Sequence, residues 1–143
     1  MRNFVVDKQK ENKFTMKRIF IMSLVSLALA SCHESLEDKA EREAKEYTRK
    51  NCPMKVAEGV VNDSMTFDRS TRTIHYYYSL TGDIDKDVAN EEQLTANLVK
   101  SVKEATNIRK YKENGFSFSY TYHSTKNKGK VLYSHTITPK DYQ

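Results

Sequence analysis

Downstream of residue 33 the hydrophobic positions change period three times. Over 34–50 they recur every three or four residues: Leu36, Ala40, Ala44 and Tyr47 form one narrow stripe, as on a helix with a single buried face. Ser35-Leu36-Glu37-Asp38 fits a capping box, in which the serine hydroxyl takes up a free backbone amide. The other faces set Asp38 before Arg42, Glu41 before Lys45 and Glu46 before Lys50. An acid four residues ahead of its base is the favourable order on a solvated helix face. Asn51 and Pro53 stop the helix.

Over 64–81 the period falls to two. Met65 and Phe67 alternate with polar residues, Asp68–Arg72 turns the chain, and Ile74, Tyr76, Tyr78 and Leu80 share one strand face with His75, Tyr77 and Ser79 on the other. The helical period returns over 90–112, where Asn90 and Gln93 cap a stripe of Leu94, Leu98, Val102, Ala105 and Ile108, ended by Asn114-Gly115. Over 116–138 the pattern again reads as a hairpin. Phe116, Phe118, Tyr120 and Tyr122 face one way, a loop lies at Asn127-Lys128-Gly129, and Val131, Tyr133, His135 and Ile137 alternate in the last strand. Residues 54–63 and 82–89 read as connections. The order helix–hairpin–helix–hairpin (αββαββ) looks like a tandem pseudo-repeat. It predicts an α+β fold, a four-stranded antiparallel sheet with two helices on one face.

The 143 residues suit one domain, and 38% hydrophobic with 30% charged residues is a globular composition. The net charge of +5 is misleading, because residues 1–31 hold six basic residues against two acidic ones. The remainder is close to neutral, so the basic balance does not point to nucleic acid. Within the remainder, 51–99 is acidic on balance and 100–143 basic, with Lys126, Lys128 and Lys130 crowding one hairpin tip.

The first 31 residues read as a leader. Met16-Lys17-Arg18 precedes an apolar run, Ile19 to Ser31, of 13 residues. That is too short to cross a ~30 Å hydrocarbon core and is the length of a signal-peptide apolar region. The run ends in Leu29-Ala30-Ser31-Cys32, which resembles the lipobox of bacterial lipoproteins. The resemblance implies cleavage before Cys32, a diacylglyceryl group on its sulfur, and acylation of the new amine. On this reading the signal peptide is 16–31, residues 1–15 precede a true start at Met16, and 32–143 is one domain anchored through Cys32. Several acyl chains anchor stably where one does not. Only Cys52 is left after Cys32, so no disulfide forms within the domain. Length, leader and tyrosine-rich strands also resemble small Bacteroidetes-type envelope lipoproteins. The early acids after Cys32 resemble the export signal of such surface lipoproteins, and that resemblance implies the outer membrane, facing either the periplasm or the surface.

No chemistry announces itself. There is no phosphate-cradling glycine loop, no paired cysteines or His-x-x-x-His spacing, and no Gly-x-Ser-x-Gly elbow. His75 and His123 fall on the polar strand faces and His135 in the last strand, where three imidazoles could meet. Lone strand histidines are more often simply exposed, so no metal site is assigned. Asp83, Asp85 and Asp87 alternate but lack the glycine and closing glutamate of an EF-hand. Cys52 reads as a small, buried apolar residue. In Tyr76-Tyr77-Tyr78 alternation puts Tyr77 on the face away from its neighbours, where a ring with a polar tip suits a contact.

The sequence therefore predicts a non-enzymatic, lipid-anchored envelope protein with no cofactor beyond its own acyl groups. It is expected to bind a protein or a glycan through Tyr77, His75, His123, Lys126 and Lys128. The alternatives are an inhibitor or protective factor of an envelope enzyme and, behind it, a metal-dependent enzyme.

Overall fold

A computed structural model describes residues 34–143. The leader and Cys32 lie outside the described residues. The chain divides after Glu34, and Ser35–Gln143 form one unit.

The first helix, α1 (Leu36–Asn51), starts where the capping pattern places it, with the Asp38 amide donating to Ser35 Oγ at 3.0 Å. Ala40 and Ala44 are buried, and their small side chains let the helix lie close to the sheet. The Glu41–Lys45 and Glu46–Lys50 pairs form, and Asp38 reaches out to Arg69 at 2.6 Å. After α1 come β1 (Met54–Ala57), β2 (Val60–Asp68) and β3 (Thr73–Leu80). A crossover then carries α2 (Glu91–Glu104) and the short α3 (Arg109–Glu113), followed by β4 (Ser117–Ser124), β5 (Val131–Ile137) and a terminal turn of helix, α4 (Pro139–Tyr142). Among the described residues no helix is long and apolar enough to cross a membrane.

Both expected hairpins form, but the four-stranded antiparallel sheet does not. The sheet has five strands in the order β1-β2-β3-β4-β5, and β3 pairs with β4 in parallel. A parallel pair needs a crossover of a dozen or more residues, and the segment holding α2 and α3 supplies it. That segment brings the chain back to the end of the sheet where β3 began. The two hairpins therefore join side by side in the same direction. Their likeness shows as exact register: Ile74 faces Phe118, Tyr76 faces Tyr120 and Tyr78 faces Tyr122.

The fifth strand, β1, falls in 54–63, which reads as a connection in the sequence. All four of its residues are exposed, so no apolar alternation marks it. Gly59 turns it back onto β2 with φ +72°. The helix expected over 90–112 also breaks. Ala105 leaves helical geometry at ψ 118°, and Lys112 folds back to donate to the carbonyls of Val102 and Lys103 at 2.8 and 2.7 Å. One ammonium thus satisfies two carbonyls that the helix end leaves open.

The main cluster of core side chains gathers on one face of the sheet. Phe116, Phe118 and Ile137 are fully enclosed, with Ala40, Ile74, Val102 and Tyr111 around them. At the β2–β3 turn Arg72 holds φ +51°. Its guanidinium lies 4.6 Å from the Phe116 ring centre and pairs with Glu37 of α1 at 3.0 Å. The opposite face of the sheet is polar. It carries His75, Tyr77, Ser119, Thr121 and His123, tied in part by Thr136 to Ser119 and Ser79 to Asp63.

Candidate functional site

The two longer helices do not cover the sheet evenly. α1 lies over β2, where Thr48 Oγ1 donates to the Met65 carbonyl and accepts from the Met65 amide, both at 2.8 Å. α2 and α4 lie toward β5, with Thr95 Oγ1 2.6 Å from the Tyr133 hydroxyl. Between them the middle strands present Tyr76 and Tyr78 of β3 and Tyr120 and Tyr122 of β4, all half-buried. In-register parallel pairing stacks like on like. The Tyr76 and Tyr120 rings are 5.1 Å apart, and the Tyr78 and Tyr122 rings 4.9 Å. Tyr133 meets Tyr122 edge-on.

Where α1 meets α3, this floor deepens into a cleft of about 280 Å³. Its walls include Ala40, Glu43 and Tyr47 of α1, Tyr76 and Tyr78 below, and Ile108 opposite. Glu43 accepts a hydrogen bond from the Tyr111 hydroxyl at 2.7 Å, so α1 and α3 are bridged at one end of the groove. The hydroxyls of Tyr76, Tyr78, Tyr120 and Tyr122 make no hydrogen bond among the described residues. Burial pushes Tyr76 up to about 12, and burial together with the neighbouring phenols drives Tyr78 and Tyr120 higher still. These phenols stay neutral at any physiological pH. They can donate or accept a hydrogen bond, but they do not act as ionised bases.

The residues singled out in the sequence divide between two places. His75, Tyr77 and His123 do come together, on the open face, with ring centres 6.1 and 6.2 Å from Tyr77. His123 Nε2 is enclosed there, with no hydrogen-bond partner among the described residues. His135 lies on the other face, beside Tyr133, because it pairs with Tyr120. The three imidazoles therefore do not meet. Among the described residues no three His, Cys, Asp or Glu side chains are placed to hold a metal ion. Of the tip lysines, Lys126 donates to the Gly82 carbonyl at 2.7 Å and Lys130 pairs with Asp87, while Lys128 is exposed. Cys52 donates to Asn62 Oδ1 at 3.1 Å, and burial, then the Asp63 charge, raises its thiol pKa. That makes it a poor nucleophile.

Of the three alternating acids, Asp85 is buried, and it acts as a clamp. One carboxylate oxygen accepts from the amides of Thr125 and Lys126, at 2.9 and 2.7 Å, and from the Thr125 hydroxyl at 2.9 Å. Burial alone would raise its pKa. Hydrogen bonds from Ser124, Lys126 and Thr125 outweigh that and hold it at about 2. A carboxyl depressed in the folded state contributes stability that is complete above its unfolded value, near 3.8, and is lost as pH falls toward 2. Asp85→Asn is therefore expected to lower the melting temperature at pH 7 and to flatten its fall between pH 4 and pH 2, as followed by circular dichroism. An unchanged acid limb would count against the clamp.

The tyrosine groove is not marked in the sequence, where Tyr76, Tyr78, Tyr120 and Tyr122 read only as members of one face of each strand. The available signal is that both inward stripes place hydroxyl-bearing rings where leucine or phenylalanine would pack as well, and no local feature says that helices leave those positions open.

Comparison with known proteins places the chain within a family. It belongs to the family described as Domain of unknown function (DUF8479), whose model matches residues 35–133. No curated protein matches the sequence. Three solved structures share the fold. The first, a protein of Pseudomonas aeruginosa described as secreted, is 17% identical, with 80% of this chain and 99% of that one covered at a TM-score of 0.65. The second is the pilotin EpsS of the Vibrio vulnificus type 2 secretion system, 13% identical, with 76% and 92% covered at 0.58. The third is the type II secretion system pilotin AspS of Vibrio cholerae, 18% identical, with 74% and 91% covered at 0.54. At these identities the likeness establishes the fold.

Proposed function

We propose that this chain is a lipid-anchored protein of the bacterial cell envelope that holds a segment of a partner protein in its tyrosine groove. The observation that carries the reading is the groove floor: four half-buried rings whose hydroxyls make no hydrogen bond among the described residues. Aromatic rings with free polar tips supply large contact area at little conformational cost, and tyrosine is favoured at binding hot spots for that reason. Shared fold with two type II secretion pilotins and a protein described as secreted supports an envelope setting and a protein partner. The lipobox at Cys32 supports attachment to the membrane, with the outer membrane preferred.

Site-specific photocrosslinking in cells tests this reading. A photoreactive phenylalanine analogue at Tyr78 or Tyr122 keeps the ring and places the probe in the groove. A discrete crosslinked protein from these positions, absent when the same probe replaces Tyr77 on the open face, is the expected outcome. Crosslinks from position 77 alone would move the site to the open face with His75 and His123. No crosslinked protein from any of these positions would end the groove reading. The mass of the mature protein, with and without Cys32→Ala, tests the anchor separately.

A further inference from the structure

We infer that one particular end of the domain rests against the membrane surface: the end formed by the start of α1, the Arg69–Arg72 turn and the entry to β4. This rests on the lipid anchor at Cys32 argued above. The described domain begins close to that anchor in the sequence. Ser35 is the N-cap of α1, its hydroxyl oxygen accepting from the Asp38 amide and its carbonyl from the Lys39 amide, each at 3.0 Å. Only His33 and Glu34 separate it from Cys32. Three extended residues reach about 10 Å, so a lipidated Cys32 keeps Ser35 within about that distance of the headgroups.

The elements around Ser35 are fixed to one another. Arg69 pairs with Asp38 at 2.6 Å, Arg72 with Glu37 at 3.0 Å, and the Ser117 amide donates to the Arg72 carbonyl at 3.1 Å. From this end β3 and β4 run away in parallel for eight residues each, about 25 Å at strand rise. The 82–87 and 125–130 loops, clamped together by Asp85, lie at the far end. The Arg69–Asp38 and Arg72–Glu37 pairs balance the charge at the start of α1 and the turn, while Arg109 and Lys110 of α3, beside the entry to β4, make no ion pair among the described residues. The short tether does the orienting, and vesicles without anionic lipid remove any attraction that these cations add. One consequence concerns the groove. Its end bridged by Glu43 and Tyr111 faces the membrane, and the Tyr78–Tyr122 pair lies toward the aqueous side, where a partner arrives.

The chain contains no tryptophan, so a single introduced indole reports its own position. Lipidated protein carrying Ser70→Trp, or Asn114→Trp as a second reporter of the same end, is compared with Lys128→Trp. The vesicles are phosphatidylcholine containing a lipid with a nitroxide on its headgroup. Emission from positions 70 and 114 is expected to be quenched about twofold more strongly than from 128, with or without anionic lipid, given the ~10 Å reach and the ~25 Å strand length. Equal quenching, or stronger quenching at 128, overturns the orientation. A flexible Gly-Ser insertion of about a dozen residues after Glu34 is expected to erase the difference. A difference that survives the insertion overturns the tether as its cause. Purified protein whose mass lacks acyl chains overturns the anchor and this inference together, whereas acylated protein with equal quenching overturns the orientation alone.

Discussion

Replacing Phe118 with alanine is expected to destabilise the protein by about 3–5 kcal/mol, the range for emptying a fully buried aromatic site. Phe118 is wholly enclosed, flanked by Ile137 across β4–β5 and Ile74 across β3–β4, with Tyr142 edge-on at 5.9 Å. None of these neighbours is free to collapse into the space. Ile137 and Ile74 are held by sheet register, and the Tyr142 hydroxyl is tied to the Phe116 carbonyl at 2.6 Å. A domain of this size has about 5–15 kcal/mol in all, so the variant should sit near the edge of folding. Denaturant titration reads the effect as a lowered midpoint with an unchanged slope. Two residues along the same stripe, Tyr120→Phe should change stability by no more than about 0.5 kcal/mol, because the hydroxyl it removes makes no hydrogen bond among the described residues. A large loss at Tyr120→Phe would mean that the groove hydroxyls are structural.

The second large effect is expected at Gly59. Its φ of +72° lies in the region that side-chain-bearing residues avoid, and an added Cβ would sit 2.8 Å from Ile84 Cδ1 and 2.9 Å from the Thr81 carbonyl oxygen. The Ile84 contact could be relieved by rotation. The Thr81 contact cannot, because that residue's amide is bonded to the Gly59 carbonyl at 2.8 Å. Backbone strain and crowding together suggest a loss of about 2–4 kcal/mol for Gly59→Ala. Its local signature should be faster hydrogen exchange in β1 and at Thr81. If Gly59→Ala melts with the parent protein, the β1–β2 turn is looser than its geometry indicates. Gly129, whose added Cβ would meet nothing within 4 Å, is the control for positive φ without crowding.

Much of the local structure was legible in the sequence. The Ser35 and Asn90 caps, the Ala40–Ala44 stripe, the Asp68–Arg72 turn and both hairpins follow from patterns a few residues long, because each is decided by contacts between near neighbours. The polar face holding His75, Tyr77 and His123 was legible for the same reason, since strand alternation is local. The resemblance of Leu29–Cys32 to a lipobox is also a local pattern, and it lies outside the described residues.

Tertiary structure decided what local patterns do not contain. An αββαββ order is compatible with either direction of joining two hairpins, and only the path of the 81–116 crossover makes β3 and β4 parallel. Strand β1 carries no apolar alternation and forms because β2 offers it an edge. The break after Glu104 is held by Lys112, whose ammonium reaches back to carbonyls nine and ten residues earlier. Above all, periodicity marks Tyr76, Tyr78, Tyr120 and Tyr122 as inward, but not whether anything covers them. Coverage depends on where α1 and α2 land on the sheet, a long-range packing outcome, and because they land toward β2 and β5 the same four residues become the floor of a groove instead of the middle of a core.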